Sequence, residues 1–156
     1  MDWAEKEIAS LELSKKLKEL GFPQNREGWY WVKTTYPIKW VLAIMLDGIW
    51  LSVKNYIIIK DEIIEEIIKA PTCPEMGKWL PLYLDVRKGV LFAEVHRLHL
   101  YRTYDGWCIS YGALSRCAFT LPNAFAEMLI YLVRNEYMSF SQGEIKIIPL
   151  LREGKC

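Results

Sequence analysis

The segment Phe92–Arg102 contains both histidines of the chain and a carboxylate, so its residue types favour chemistry more than those of any other stretch. In a regular strand, His96 and His99 would face opposite sides. The apolar alternation changes phase near Arg97, however, and one inserted bulge residue would produce that change. Such a bulge would place Glu94, His96 and His99 on one polar face as a candidate divalent-metal set. The simpler alternative is a solvated strand face that contains both histidines.

The same region also suggests a metal-dependent nuclease. Phosphodiester cleavage of this kind needs carboxylates on adjacent strands to hold the metal ion, and Asp85 and Glu94 have that potential. His96 would then stand where the familiar carboxylate-x-lysine arrangement has lysine. The stretch Glu144–Lys146 has the right residue types as well, but an alternating edge strand explains it more simply. A divalent metal is expected only if this nuclease reading holds, and no other cofactor is predicted.

A non-enzymatic alternative starts from the local excess of cations over acids between positions 78 and 107. Cations bind phosphates and aromatic rings stack on unpaired bases, so a sheet face of this composition could bind single-stranded nucleic acid. The candidate residues are Arg87, Lys88, Arg97, Arg102, Tyr101 and Trp107. The competing interpretation is that the rings pack beneath the final helix while the cations are merely solvated.

The four cysteines are scattered without a CxxC pair, at Cys73, Cys108, Cys117 and Cys156. This spacing is typical of reduced thiols in a cytosolic protein rather than of a zinc ribbon or a secreted disulfide framework. Only Cys73, which precedes a short predicted helix, approaches the setting that activates a thiolate. The sequence contains no P-loop, dinucleotide fingerprint or Ser-centred elbow.

Length and charge limit the class of protein. A chain of 156 residues is the size of one domain, so we expect a single domain over residues 1–156. Twenty basic residues against 19 acidic ones create no net field towards nucleic acid or an anionic membrane. The charged N-terminus and the lack of a long apolar stretch predict a cytoplasmic protein without membrane attachment.

Two amphipathic helices are predicted near the ends of the chain. The first covers about Ile8 to Leu20 and is followed by Gly21, and the second covers Ala124 to Asn135. A shorter helix is expected after Thr72, which can cap it. The stretch Tyr56–Ile68 is predicted to be a strand that runs into a short helix, because apolar pairs alternate there with acids.

Between the helices, aromatic and β-branched runs predict strands. The predicted strands are Trp29–Thr35, Lys39–Leu46, Ile49–Val53, Leu82–Val86, Val90–Tyr104 and Trp107–Tyr111, and an edge strand is expected in the tail at Gly143–Leu151. Asp47-Gly48 suits a type I′ turn because both central residues need positive φ. If the face that carries Trp29 and Trp31 were left exposed, a homodimer or a protein partner would be expected.

Three segments resemble small uncharacterised proteins encoded by bacteriophages and prophages. They are the opening Ser10–Gln24, the middle Ala70–Pro81 and the helix Ala124–Leu132, and their order is also similar. The resemblance lies in helix ends and packing faces, so it implies a shared fold rather than a shared chemistry. No functional residue follows from it.

Because strands cluster between the helices and do not alternate with them, the sequence predicts an α+β fold. We expect an antiparallel sheet with the two main amphipathic helices packed on one face. The predicted function is that of a small phage-type accessory protein that binds nucleic acid or another protein. The alternative is a metal-dependent nuclease that uses Asp85, Glu94 and His96.

Overall fold

The computed structural model describes residues 3–25, 28–86 and 94–140. Within those ranges nine strands form two antiparallel sheets and are accompanied by three α-helices. The α+β class is therefore confirmed, whereas the prediction of one continuous sheet is wrong. No helix in the described ranges is both long enough and apolar enough to cross a bilayer.

The first sheet is five-stranded, in the order β4-β3-β2-β1-β5. Its strands are β1 (Trp29–Thr35), β2 (Ile38–Leu46), β3 (Ile49–Ser52), β4 (Ile58–Ile59) and β5 (Ile64–Lys69). The turn between β2 and β3 has φ values of 49° at Asp47 and 78° at Gly48, which confirms the predicted pair of positive-φ residues.

Both faces of this sheet are partly covered. On one face Tyr30, Val32 and Ala43 are buried and form a cluster with Ile63, just before β5, and Ile64, the first residue of β5. The other face packs against the N-terminal segment, and its cluster consists of Ala4, Ile8, Leu42, Ala70 and the half-buried Trp29, Trp31 and Val53. Trp29 and Trp31 are therefore core residues, as sequence patterning favoured.

The helix predicted before Ile68 is wrong. Only Asp61–Ile63 forms a single 3₁₀ turn, and Ile64–Lys69 continues as β5, antiparallel to β1. The alternation of acidic and apolar residues is compatible with both helical and strand periodicity. A strand forms because β-branched isoleucines favour it and because β1 supplies the hydrogen-bond partners. Lys33 on β1 also pairs with Glu65 on β5 at 3.0 Å.

Helix α1 (Leu11–Glu19) is shorter than predicted. Ser10 is its N-cap, because the Ser10 side chain accepts a hydrogen bond from the Leu13 N–H, and the helix therefore begins at Leu11. Helix α2 (Cys73–Gly77) begins where predicted. Its capping box pairs the Thr72 hydroxyl with the Glu75 N–H and the Glu75 carboxylate with the Thr72 N–H.

The second sheet is four-stranded, in the order β6-β7-β8-β9. Its strands are β6 (Tyr83–Asp85), β7 (Val95–Arg102), β8 (Trp107–Tyr111) and β9 (Leu114–Ala118). Strand β9 was not predicted, although Gly112-Ala113 indicates a hairpin turn between β8 and a following strand. Gly112 has a φ of 60°, and glycine at the first central position is typical of a type II′ hairpin.

Helix α3 (Leu121–Arg134) packs on β8 and β9 and also contacts α1 and α2. The Thr120 side chain caps it, so it begins three residues before the predicted Ala124. Helix α1 contacts α3 and β5, hence it lies between the two sheets, and the prediction that both main helices pack on one sheet face is not confirmed. The edge strand predicted at Gly143–Leu151 lies outside the described residues.

Candidate nucleic-acid interface

The two faces of the four-stranded sheet have different environments. Ile109 on β8 is fully buried, and Arg116, its partner on β9, has its guanidinium 4.0 Å from the Tyr131 ring of α3. This face is therefore the inner one. Because side chains alternate along a strand, residues of the other parity point away from α3.

We call the opposite surface of the sheet the outer face. It carries side chains from all four strands, and the residues that define it are Tyr83, Arg97, His99, Tyr101, Cys108, Ser110, Ser115 and Cys117. Tyr83 and Tyr101 are 41% and 45% exposed, and Arg97 and His99 are exposed as well. The outer face thus presents aromatic rings and basic groups together.

The side chain of Tyr101 reaches across the neighbouring strand. Its backbone is opposite Cys108 on β8, yet its hydroxyl lies 3.5 Å from the Ser115 hydroxyl on β9, one strand further on. The ring must therefore cross β8, and this position explains why Cys108 and Ser110 beneath it are only 3% and 8% exposed. Because the side chain is 45% exposed, part of the ring is open to a stacking partner.

The basic groups surround this ring. His99 is two residues from Tyr101 on the same face of β7, and Arg97 follows two residues further and faces Tyr83 across the β6–β7 pair. Asp85 and Val95 continue the same face at its far end. The exposed part of the outer face therefore has an arginine and a histidine between two aromatic rings, and it includes Arg97 and Tyr101 of the predicted set. Tyr83 and His99 were not predicted to take part in nucleic-acid binding. The side of the sheet that each of them faces follows only from the pairing register of β6, β7 and β8.

A disulfide lies in the same row of the outer face as Tyr101. Cys108 and Cys117 are directly opposite each other on β8 and β9, with Cα atoms 4.1 Å apart, and are bonded. The prediction of reduced thiols is therefore wrong for this pair, and it failed because β9 was not recognised. An oxidised pair also removes one reason for expecting a cytosolic protein, so the location stays a prediction.

Arg102 and Trp107 do not belong to the outer face. They are paired across β7 and β8 on the inner side, and the Arg102 guanidinium lies 5.7 Å from the centre of the Trp107 ring. Both line a separate pocket of about 520 Å³ at the end of the hairpin, next to Phe119 and Leu121. The predicted nucleic-acid set is thus divided between two surfaces, and its members Arg87 and Lys88 lie outside the described residues.

The predicted catalytic residues are joined by hydrogen bonds. The Glu94 N–H donates to Asp85 Oδ1 at 3.1 Å, and His96 Nε2 lies 2.8 Å from Glu94 Oε1. The His96 ring also rests on Gly112, where an added Cβ would lie 2.7 Å from ring atoms. The Asp85 carboxylate therefore holds the backbone at the start of β7. The Glu94 carboxylate orients the His96 imidazole against the β8–β9 turn.

The predicted metal set of Glu94, His96 and His99 is not assembled. Strand β7 keeps one register with β8 from Leu98 to Arg102, and no register shift interrupts its pairing with β6. His96 and His99 consequently face opposite sides of the sheet. Within residues 3–25, 28–86 and 94–140, no group of three His, Cys, Asp or Glu side chains could hold a metal ion.

Cys73 is not an activated nucleophile. Burial and, to a smaller extent, the nearby Glu7 carboxylate together raise the pKa of its thiol to about 11. A thiol with this pKa stays protonated near neutral pH, and the protonated form is a poor nucleophile.

No family model matches the chain, and no curated protein and no solved structure proved significantly similar to it.

Proposed function

We propose that this protein binds single-stranded nucleic acid on the outer face of its four-stranded sheet. The observation that carries the proposal is the Tyr101 side chain, which reaches across β8 with its hydroxyl at Ser115 and remains 45% exposed. A ring held in this way offers a flat surface on which a base stacks without losing much rotamer freedom.

Arg97 and His99 supply the contacts to phosphate. Both are exposed and lie on the same face of β7 as Tyr101. Tyr83 on β6 is opposite Arg97, four residues from Tyr101 on β7, so the two tyrosines are roughly 14 Å apart and can serve two non-adjacent bases of one extended chain. Because the cations are few, the affinity is expected to be modest and to fall as salt rises. The resemblance to small phage proteins implies no activity, so the proposal depends on this geometry.

Fluorescence anisotropy with labelled single-stranded DNA and RNA of about twelve nucleotides tests the proposal. Tyr101→Ala is expected to lose about 1–3 kcal/mol of binding free energy, while Tyr101→Phe, which keeps the ring, is expected to lose much less. Arg97→Ala is expected to lower the slope of log affinity against log salt by about 1.

Two matched variants serve as controls. Tyr56→Ala removes a tyrosine that is 72% exposed beside the other sheet, and Arg134→Ala removes an exposed arginine at the end of α3. Neither is expected to change the affinity. Equal losses from Tyr56→Ala and Tyr101→Ala would reject the outer face as the binding surface.

A metal-dependent nuclease is the second candidate, and the contact between Glu94 and His96 is the observation that favours it. As placed, Asp85, Glu94 and His96 do not form a set that could hold a metal ion, so this candidate requires their side chains to come together when a divalent ion binds. The same oligonucleotides, incubated with magnesium, manganese or a chelator, test this candidate. Cleavage that needs metal and disappears in Glu94→Ala would favour the nuclease, whereas binding that survives the chelator would favour the binding module.

A further inference from the structure

Strand β2 in the other sheet has an unpaired edge. It pairs with β1 from Ile38 to Ile44, but its pairing with β3 covers only Ala43 to Leu46. One further bond, from the Val53 N–H to the Leu42 carbonyl at 3.0 Å, extends this contact before the chain turns away. No strand in the described ranges pairs with residues 38–41 on that side.

The backbone groups along this edge point outwards. Because the Leu42 carbonyl points towards Val53, the alternation of an antiparallel strand directs the N–H and C=O groups of Ile38 and Trp40 the same way. Among the described residues, neither backbone has a hydrogen-bond partner on that side. Such an edge can accept the backbone of another strand.

The open edge has a cavity on each face of the sheet. The larger one, of about 700 Å³, is lined by Trp31, Trp40 and Val53, and the smaller, of about 150 Å³, by Ile57 and Ile63. Four residues line both cavities, and therefore the two form one groove around the edge: Lys39, Val41, Ser52 and Asn55.

The rim of the groove is apolar and exposed. Tyr36 is 83% exposed and Ile38 77% on one side, while Ile57 and Ile58 are 59% and 61% exposed on the other. Large apolar side chains grouped around an unpaired edge mark an interaction surface more strongly than scattered ones.

The charge of the groove is positive. Lys39 and Lys54 line it and are exposed, and among the described residues Glu5 is the one acidic side chain in its lining. Lys15 adds a third ammonium group, 4.8 Å from the centre of the Trp40 ring. A ligand that carries carboxylates among apolar side chains complements this combination.

We propose that the open edge of β2 binds an extended peptide segment, apolar and acidic in composition, from a partner protein. The peptide backbone adds a strand beside Ile38 and Trp40, and its alternate side chains enter the cavities on the two faces. This site lies in a different sheet from the outer face and uses none of its residues, so it does not depend on the nucleic-acid proposal.

The test uses a fluorescein-labelled eight-residue peptide that alternates valine and glutamate, together with amide hydrogen exchange of the full chain. Saturable binding is expected, with slowed exchange at the amides of Ile38 and Trp40. A peptide that alternates valine and lysine is expected to bind more weakly. Methylation of alternate backbone nitrogens is expected to abolish binding when the methylated edge faces β2.

Charge reversal provides the matched variants. Lys39→Glu combined with Lys54→Glu is expected to weaken binding of the valine-glutamate peptide about tenfold, because two exposed ion pairs become repulsive. Lys78→Glu, at the end of α2 and outside the groove, is expected to leave the affinity unchanged.

Three results would overturn the proposal. The first is failure of the valine-glutamate peptide to bind, and the second is binding that leaves exchange at Ile38 and Trp40 unaltered. The third is a dimer, seen by sedimentation without peptide, in which both amides are already protected. In that case a second copy of this chain, and not a partner peptide, would occupy the edge.

Discussion

At the scale of single residues, the buried ion pair of Lys69 determines how the β5–α2 junction is held. The Lys69 side chain is 1% exposed, and its Nζ lies 2.8 Å from Glu75 Oε1 and 5.0 Å from the centre of the Tyr30 ring. The other oxygen of Glu75 accepts hydrogen bonds from the N–H and hydroxyl of Thr72. One carboxylate thus satisfies a buried ammonium group and caps α2.

Glu75→Ala is therefore expected to destabilise the protein by clearly more than the loss of an exposed ion pair, because it removes a carboxylate 2.8 Å from the buried Lys69 ammonium together with the cap of α2. Lys69→Met, which removes the charge and keeps the volume, is expected to cost less. Urea denaturation of both variants measures the difference in the free energy of unfolding. Glu12→Ala, which removes an exposed pair with Lys16, is the control and should cost at most about 0.5 kcal/mol. Equal losses for Glu75→Ala and Glu12→Ala would contradict this account.

Tyr111 is expected to make the protein sensitive to alkali. Its hydroxyl donates to the Pro81 carbonyl, and burial raises the pKa of the phenol above its ordinary value of 10.0. A raised folded-state pKa means that its contribution to stability is complete below pH 10.0 and is lost as pH rises through the folded value.

Urea denaturation at a series of pH values tests this expectation. The free energy of unfolding should fall above pH 10.0 in the natural chain and less steeply in Tyr111→Phe, which cannot ionise. At neutral pH Tyr111→Phe should be less stable by about 1 kcal/mol, since the Pro81 carbonyl loses its donor. Tyr36→Phe, at a side chain that is 83% exposed, is the control. Parallel curves for Tyr111→Phe and the natural chain would refute the assignment.

At the scale of elements, the turn between β8 and β9 positions His96. Gly112 has a φ of 60°, and an added Cβ would lie 2.7 Å from the His96 ring. Gly48 provides a matched comparison, because its φ is 78° but nothing lies within 4 Å of the corresponding Cβ position.

Gly48→Ala is expected to cost about 1 kcal/mol of stability, which is the backbone term alone. Gly112→Ala is expected to cost clearly more and to displace the His96 ring from Glu94. Thermal unfolding gives the stabilities, and the NMR shifts of the His96 imidazole report its position. If the two variants lose equal stability and the His96 shifts stay constant, the ring does not depend on this turn.

Local signals in the sequence predicted several elements correctly. The Thr72 cap, the Asp47-Gly48 turn and the strand Trp29–Thr35 each follow from a few adjacent residues. Strand β5 does not follow from adjacent residues, because its pattern also fits a helix and its pairing with β1 decides in favour of a strand. Strand β9 and the disulfide were missed together, since the Gly112-Ala113 turn was not recognised.

The candidate site was predictable only in its composition. The sequence predicted Arg97, Tyr101, Arg102 and Trp107 as one set, but which of them share a face depends on strand parity, which the pairing register determines. The open edge of β2 could not be predicted at all. It results from a difference in length between paired strands, nine residues in β2 and four in β3.

At the scale of the whole molecule, the two proposed surfaces belong to different sheets with separate cores. The largest cluster joins α1, α2 and α3 to the four-stranded sheet, whereas the five-stranded sheet has its own clusters on its two faces. Helices α1 and α3 are tied at their N-termini, where the Ser10 N–H donates to Asn123 Oδ1 at 2.8 Å. Helix α1 also contacts β5 of the five-stranded sheet, so α1 connects the two sheets that carry the proposed surfaces.

The open edge of β2 also has a consequence for the colloidal behaviour of the protein. Lys39 and Lys54 place like charges where two molecules in concentrated solution would otherwise join edge to edge. Salt screens such charges over roughly 8 Å at physiological ionic strength and over less at higher concentrations. The protein should accordingly be least soluble in high salt, and chemical acetylation of its lysines should promote aggregation even though the fold remains intact.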